Sequence, residues 1–105
     1  ASTKAYLDFV LEQLSGLDEI SSRAMMGEFI LYYRGKVFGG IYDDRLLVKP
    51  VPVAVKMMPD AEMEPPYDGA KKMILVDDVD NRQFLCELVE SMWEELPKKK
   101  EKNCK

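Results

Sequence analysis

Apolar residues recur along this chain with two periods. Near the start, Leu7, Val10, Leu11 and Leu14 fall three or four positions apart, the spacing of one helix face. Tyr6 and Phe9 widen that stripe, Ser2 or Thr3 can cap its start, and Gly16 can stop it. The spacing predicts a helix over residues 3–15. A longer stripe, Phe84, Leu85, Leu88, Val89, Met92, Trp93 and Leu96, predicts a helix from Asp80 to Leu96. Asp80 with Gln83 three residues on makes a capping-box-like start, and Pro97 ends the segment. Between these helices the period shortens. Three apolar runs, Phe29–Tyr33, Val37–Tyr42 and Leu46–Val48, are separated by Arg34–Gly35 and Asp43–Asp44. Gly tolerates positive φ and Asp bonds its own backbone, so both pairs read as tight turns in an antiparallel meander. Ser21–Met25 predicts an earlier strand, followed by a bend at Gly27.

Pro50 ends the fourth strand. Val51–Met58 is ambiguous, since Pro52 suits a helix's first turn while three valines favour extended backbone. Ala54, Val55 and Met58 can share one face, and a short helix is expected. Residues 59–72 hold three Pro, one Gly and four acids, the composition of a surface loop. Met73–Val76 reads as a fifth strand. The result is an α+β fold in two layers, an antiparallel sheet of about five strands packed by helices, in the order α-β-β-β-β-α-β-α. It occupies residues 1–97 as one domain, with a lysine-rich tail over 98–105.

The strands are apolar on both faces: Phe29, Leu31 and Tyr33 alternate with Ile30 and Tyr32, and Phe38 and Tyr42 with Val37 and Ile41. An antiparallel sheet with one wet face shows cleaner alternation. With the helices on one side, the other is expected to be covered in part by a second copy or another protein. Tyr32, Tyr42, Met25 and Met26 are the candidate contact residues for that partner or dimer surface. In the plainer alternative, Tyr32 and Tyr42 lie at an edge with their hydroxyls in water. Gly39–Gly40, inside a strand, marks a bulge or a close approach, under a helix or a partner's aromatic ring.

Charge narrows the partners. Residues 1–97 hold 10 Lys and Arg against 18 Asp and Glu, a net −8, whereas the tail carries +4. An acidic body repels phosphate backbones, so a nucleic-acid contact would need the tail or a local patch. Arg23, Lys49, Lys71 and Lys72 lie near strand ends and form the candidate anion patch. No apolar run reaches the roughly 18–20 residues that span a bilayer, and no signal segment opens the chain. A cytoplasmic protein with no membrane partner is expected, with Cys86 and Cys104 as free thiols.

Candidate chemistry is thin. The chain has no histidine, which removes the commonest general base and metal ligand and every Ser–His or Cys–His pair. Two cysteines 18 positions apart cannot supply a zinc site. The acidic run from Asp77 to Asn81 lacks the Gly and Glu positions of a calcium loop, and capping by Asp80 accounts for it. Asp43–Asp44 is read as a turn. No catalytic residue, metal or cofactor is expected.

One resemblance joins these observations. The run Arg23-x-Met25-x-Gly27-x-Phe29-x-x-Tyr32, then Phe38-Gly39-x-Ile41, then Asp43-Asp44-Arg45-Leu46-x-Val48-Lys49, and later Pro65-Pro66-Tyr67, resembles the N-terminal domain of the TfoX/Sxy family. The likeness spans residues 4–96, with Met26 where an aromatic residue is commoner. These are bacterial proteins linked to regulating competence genes for DNA uptake. The resemblance implies the same two-layer fold, here as a stand-alone copy. It also implies a non-catalytic regulatory domain acting through protein–protein contacts, with transcription machinery or a regulator as partner. The alternative is a nucleic-acid-associated factor using the basic tail and a patch near Arg23 and Lys49.

Overall fold

Three two-residue turns set the architecture of the sheet. In the computed structural model, which describes residues 2–96, positive φ occurs at Met26 and Gly27 (52° and 86°), Arg34 and Gly35 (50° and 82°), and Asp43 and Asp44 (55° and 56°). Positive φ at both central positions gives the type I′ turn, whose twist matches that of the strands it joins. The turns link β1 (Ile20–Met25), β2 (Glu28–Tyr33), β3 (Lys36–Ile41) and β4 (Leu46–Val48) into the predicted antiparallel meander. The expected bend at Gly27 is the first of these hairpins.

Helix α1 (Lys4–Gln13) precedes the meander, and its Thr3 cap accepts the Tyr6 N–H. After β4 come α2 (Pro52–Met57), β5 (Met63–Glu64), β6 (Met73–Leu75) and α3 (Arg82–Met92), which closes in a 3₁₀ turn, Trp93–Glu95. The sheet order is β1-β2-β3-β4-β6-β5, antiparallel throughout. The α+β reading therefore holds, with six strands where about five were expected. The extra strand lies in the segment predicted as a loop. Two residues between prolines carry no alternation to read, and they pair because β6 leaves its outer edge open. The cap of α3 also differs. Asn81, one residue later than Asp80, accepts the Phe84 N–H at 3.1 Å and donates through Nδ2 to Asp78 at 3.1 Å. Pro97 and the lysine tail lie outside the described residues.

One core lies between sheet and helices. Leu31, Ile41, Leu46, Val48 and Ile74 from the sheet meet Val10, Leu14, Leu85, Leu88 and Met92, each at most 1% exposed. The pairing slips between Leu31, opposite Gly39, and Tyr32, opposite Val37. Phe38 is the extra residue of this bulge, and it is fully buried in the helix-side core. A bulge bends its strand and re-aims a side chain, which is how Phe38 joins the same side as Ile41 despite the odd spacing.

Candidate functional site

The sheet face turned away from the core is divided in two. Over β3 and β4 it is covered by the chain itself. Tyr42 is 7% exposed, and a Cβ built on Gly40 would meet its ring at 2.7 Å and the Phe29 carbonyl at 2.6 Å. The tyrosine ring lies on the glycine, so the close aromatic approach expected at Gly39–Gly40 comes from this chain. Leu47, opposite Gly40, is fully buried yet outside the helix-side core, which shows how closely this half is sealed. The segment carrying Pro66 and Tyr67 closes the same side, and Arg45 anchors it by donating to Glu64 through Nη1 and to the Tyr42 carbonyl through Nε at 3.1 Å. Burial first, then the neighbouring Tyr67, Glu28 and Tyr32, raises the Tyr42 pKa.

Tyr42 is accordingly buried, contrary to the exposure expected of it, and the little of it that stays exposed lines the second groove described below. The physical reason is the neighbouring glycine: without a Cβ, Gly40 leaves a hollow that the nearest ring fills. Tyr32 behaves differently. It is half-buried beside Ser21, Ser22, Arg23 and Gly35 in a shallow groove of about 230 Å³ on the open half of the face. Met25 is 47% exposed and Met26, at the tip of the first hairpin, 97%. Strand β1 is the outermost strand on this side, and five of its six residues are exposed.

The basic residues separate in the same way. Lys49, Lys71 and Lys72 converge on a second groove of about 390 Å³, with Val37, Tyr42, Pro50, Pro66, Tyr67 and Met73. Arg23 is not among them and borders the first groove. The Lys49 amine is half-buried, and that burial pulls its pKa down.

Two carboxylates beside the hairpin turns, Glu28 and Asp44, are occupied by structure. Glu28 accepts from Ser2 Oγ at 2.6 Å and from the Asp43 N–H at 3.0 Å. Burial pushes its pKa up, but these hydrogen bonds outweigh that and hold it below the usual value. Asp44 accepts from the Thr3 N–H at 2.9 Å and Thr3 Oγ1 at 3.2 Å. Among the described residues no three Cys, Asp or Glu side chains converge as metal ligands, and no helix is long and apolar enough to cross a membrane.

A second cationic cluster escaped the sequence reading. Lys36 Nζ lies 4.0 Å from the centre of the Trp93 ring and donates to the Trp93 carbonyl at 3.0 Å, while Arg34 stands 5.5 Å over the Tyr33 ring. Only the approach of two elements 57 residues apart creates it.

Comparison with known proteins bears directly on this domain. The profile of the TfoX N-terminal domain matches residues 12–96, most of the chain. The chain belongs to the TfoX N-terminal domain family. A curated relative from Spirochaeta aurantia, described as an uncharacterised 12.7 kDa protein in the trpE 5′ region, is 34% identical over 79 residues. That stretch covers 75% of this chain and 69% of the relative. No solved structure matches. The profile takes in the whole sheet, both grooves and α3, so both candidate surfaces belong to the family domain.

Proposed function

We propose that this chain is a non-catalytic regulatory domain that works through protein–protein contacts, in the transcriptional control of DNA-uptake genes. The observation that carries the contact reading is the β1 edge. Proteins blunt exposed strand edges with prolines, bulges or brevity, because an open edge offers its backbone to another strand. The opposite edge is blunted in this way: β5 has two residues and runs into Pro65–Pro66. Strand β1 has six residues, no proline and an unbroken register with β2. Met25 and Met26 at its end add apolar contact that adapts to a partner's shape. Membership of the family supports the regulatory role. The lack of histidine, and the commitment of Glu28, Asp44 and Asp78 to turns and a cap, support a domain without catalysis.

A second copy of the chain is the first candidate partner. The test compares the full chain with Met25→Lys, a change at an exposed site that places charge on the edge. The expected result is a complex seen by light scattering or by co-purification from the source cell, and lost in Met25→Lys while the unfolding midpoint holds. Transcripts of uptake genes should fall when the gene is deleted and should not be restored by the variant. Identical partners and mass for both proteins, or unchanged transcripts, would overturn the reading.

A further inference from the structure

The groove that gathers Lys49, Lys71 and Lys72 has the two halves of a recognition site. Its floor is apolar: Val37, the little of Tyr42 that stays exposed, Pro50, Pro66 and Met73. Its volume, about 390 Å³, falls in the range of ligand pockets and admits one bulky side chain with its flanking backbone. Around this floor stand three lysines and the exposed Tyr67.

The lysines are unusual for what they lack. In a body with net charge −8, none of the three side-chain amines forms an ion pair or hydrogen bond with another described residue. The ion pairs there use Lys4, Arg45 and Arg82, and Glu64, opposite the groove residue Met73, is taken by Arg45. Lys49 is also partly desolvated, which costs stability when no counter-charge is supplied. Bringing three like charges together on an apolar floor is unfavourable in the free protein, and an anion relieves it.

We propose that this groove binds an acidic peptide segment, seating one bulky apolar side chain on the Tyr42–Pro66 floor and its flanking carboxylates against Lys49, Lys71 and Lys72. The apolar floor favours a peptide side chain over a phosphodiester, and the acidic body works against a polyanion more than against a short peptide. This deepens the protein-contact reading by naming the partner's chemistry, at a surface that does not involve β1.

The probe is a pentapeptide, blocked at both ends, with a central phenylalanine between two pairs of glutamates, titrated into the full chain and followed by amide NMR. Binding is expected with a dissociation constant of about 10–300 μM, the range of a small single-anchor contact. Shifts should centre on Val37, Tyr42, Lys49 and Lys71–Met73. Replacing the glutamates by glutamines, or the phenylalanine by alanine, should each weaken binding about tenfold or more. Lys49→Met should weaken it to a similar extent while leaving the unfolding midpoint equal or higher, because it removes a desolvated charge. A purely structural lysine would lower the midpoint instead. Lys71→Glu, at an exposed site, provides a second variant with the same expected loss. The proposal is overturned by no binding at about 1 mM peptide, by equal binding of the glutamine peptide, or by shifts outside the groove. Tighter binding of inorganic phosphate or of single-stranded DNA at the groove would overturn it in favour of a simple anion or a nucleic acid. Met25→Lys should bind the peptide normally. If it does not form its edge complex yet the wild-type peptide binding stands, the two readings separate cleanly.

Discussion

At the scale of single residues, backbone conformation decides more than side-chain chemistry. Met26 occupies a left-handed position at φ 52° with its side chain 97% exposed, so it gains no burial in return for the strain. Asn-Gly is the preferred pair for a type I′ turn. We therefore expect Met26→Asn to stabilise the fold by about 0.5–1 kcal/mol, read as a higher denaturant midpoint at unchanged slope. Gly40 illustrates the reverse. A side chain there would collide with both the Phe29 carbonyl and the Tyr42 ring, so the seal over β3 and β4 depends on that residue being glycine. The sequence flagged Gly39–Gly40 as a place of close approach, yet it could not say which ring would approach.

At the scale of elements, the ends of α3 show what a local pattern reveals and what it misses. The stripe from Phe84 to Leu96 announces the helix, and its buried side is the one foreseen. The cap shifts by one residue: Asn and Asp cap about equally well, and Asn81 is the one whose side chain accepts the Phe84 N–H. At the other end, Lys36 of β3 supplies positive charge and a hydrogen bond to the Trp93 carbonyl, where the helix ends. Its amine also lies on the Trp93 ring. Lys36→Met should cost about 1–2 kcal/mol, measured by urea unfolding, with Lys36→Arg retaining most of it. A cost indistinguishable from zero would mean that solvent replaces the contact. The short strand β5 makes the same point from the other side: it exists only because β6 offers an edge.

At the scale of the whole molecule, one polar knot ties the start of the chain to two hairpins. Ser2 donates its N–H to the Gly27 carbonyl at 3.0 Å and its hydroxyl to Glu28, and Glu28 in turn accepts from the third turn at Asp43. Because the folded protein holds the Glu28 pKa below its unfolded value, the stability this gives is present above the unfolded value and is lost as pH falls through the folded one. The urea midpoint should begin to drop as pH falls toward the ordinary glutamate pKa of about 4.3 and go on dropping below it. Glu28→Gln should be less stable at neutral pH and show a smaller drop; equal drops would assign the acid sensitivity to other carboxylates. The strands of the meander, all three helices and two of the three hairpin turns were readable from the chain, because a helix stripe, a strand alternation and a turn pair are each set by a few neighbouring residues. The family domain, too, was legible from motifs spread over most of the chain. How the outer sheet face is shared was not. Tyr32 and Tyr42 look alike in sequence, but one is half-open beside the first groove and the other is packed down on Gly40, and Arg23 parts from Lys49, Lys71 and Lys72. Those outcomes depend on the bulge at Phe38, the hollow at Gly40 and the return of the loop at 59–72 across the sheet, contacts between residues far apart in the chain that no local spacing encodes.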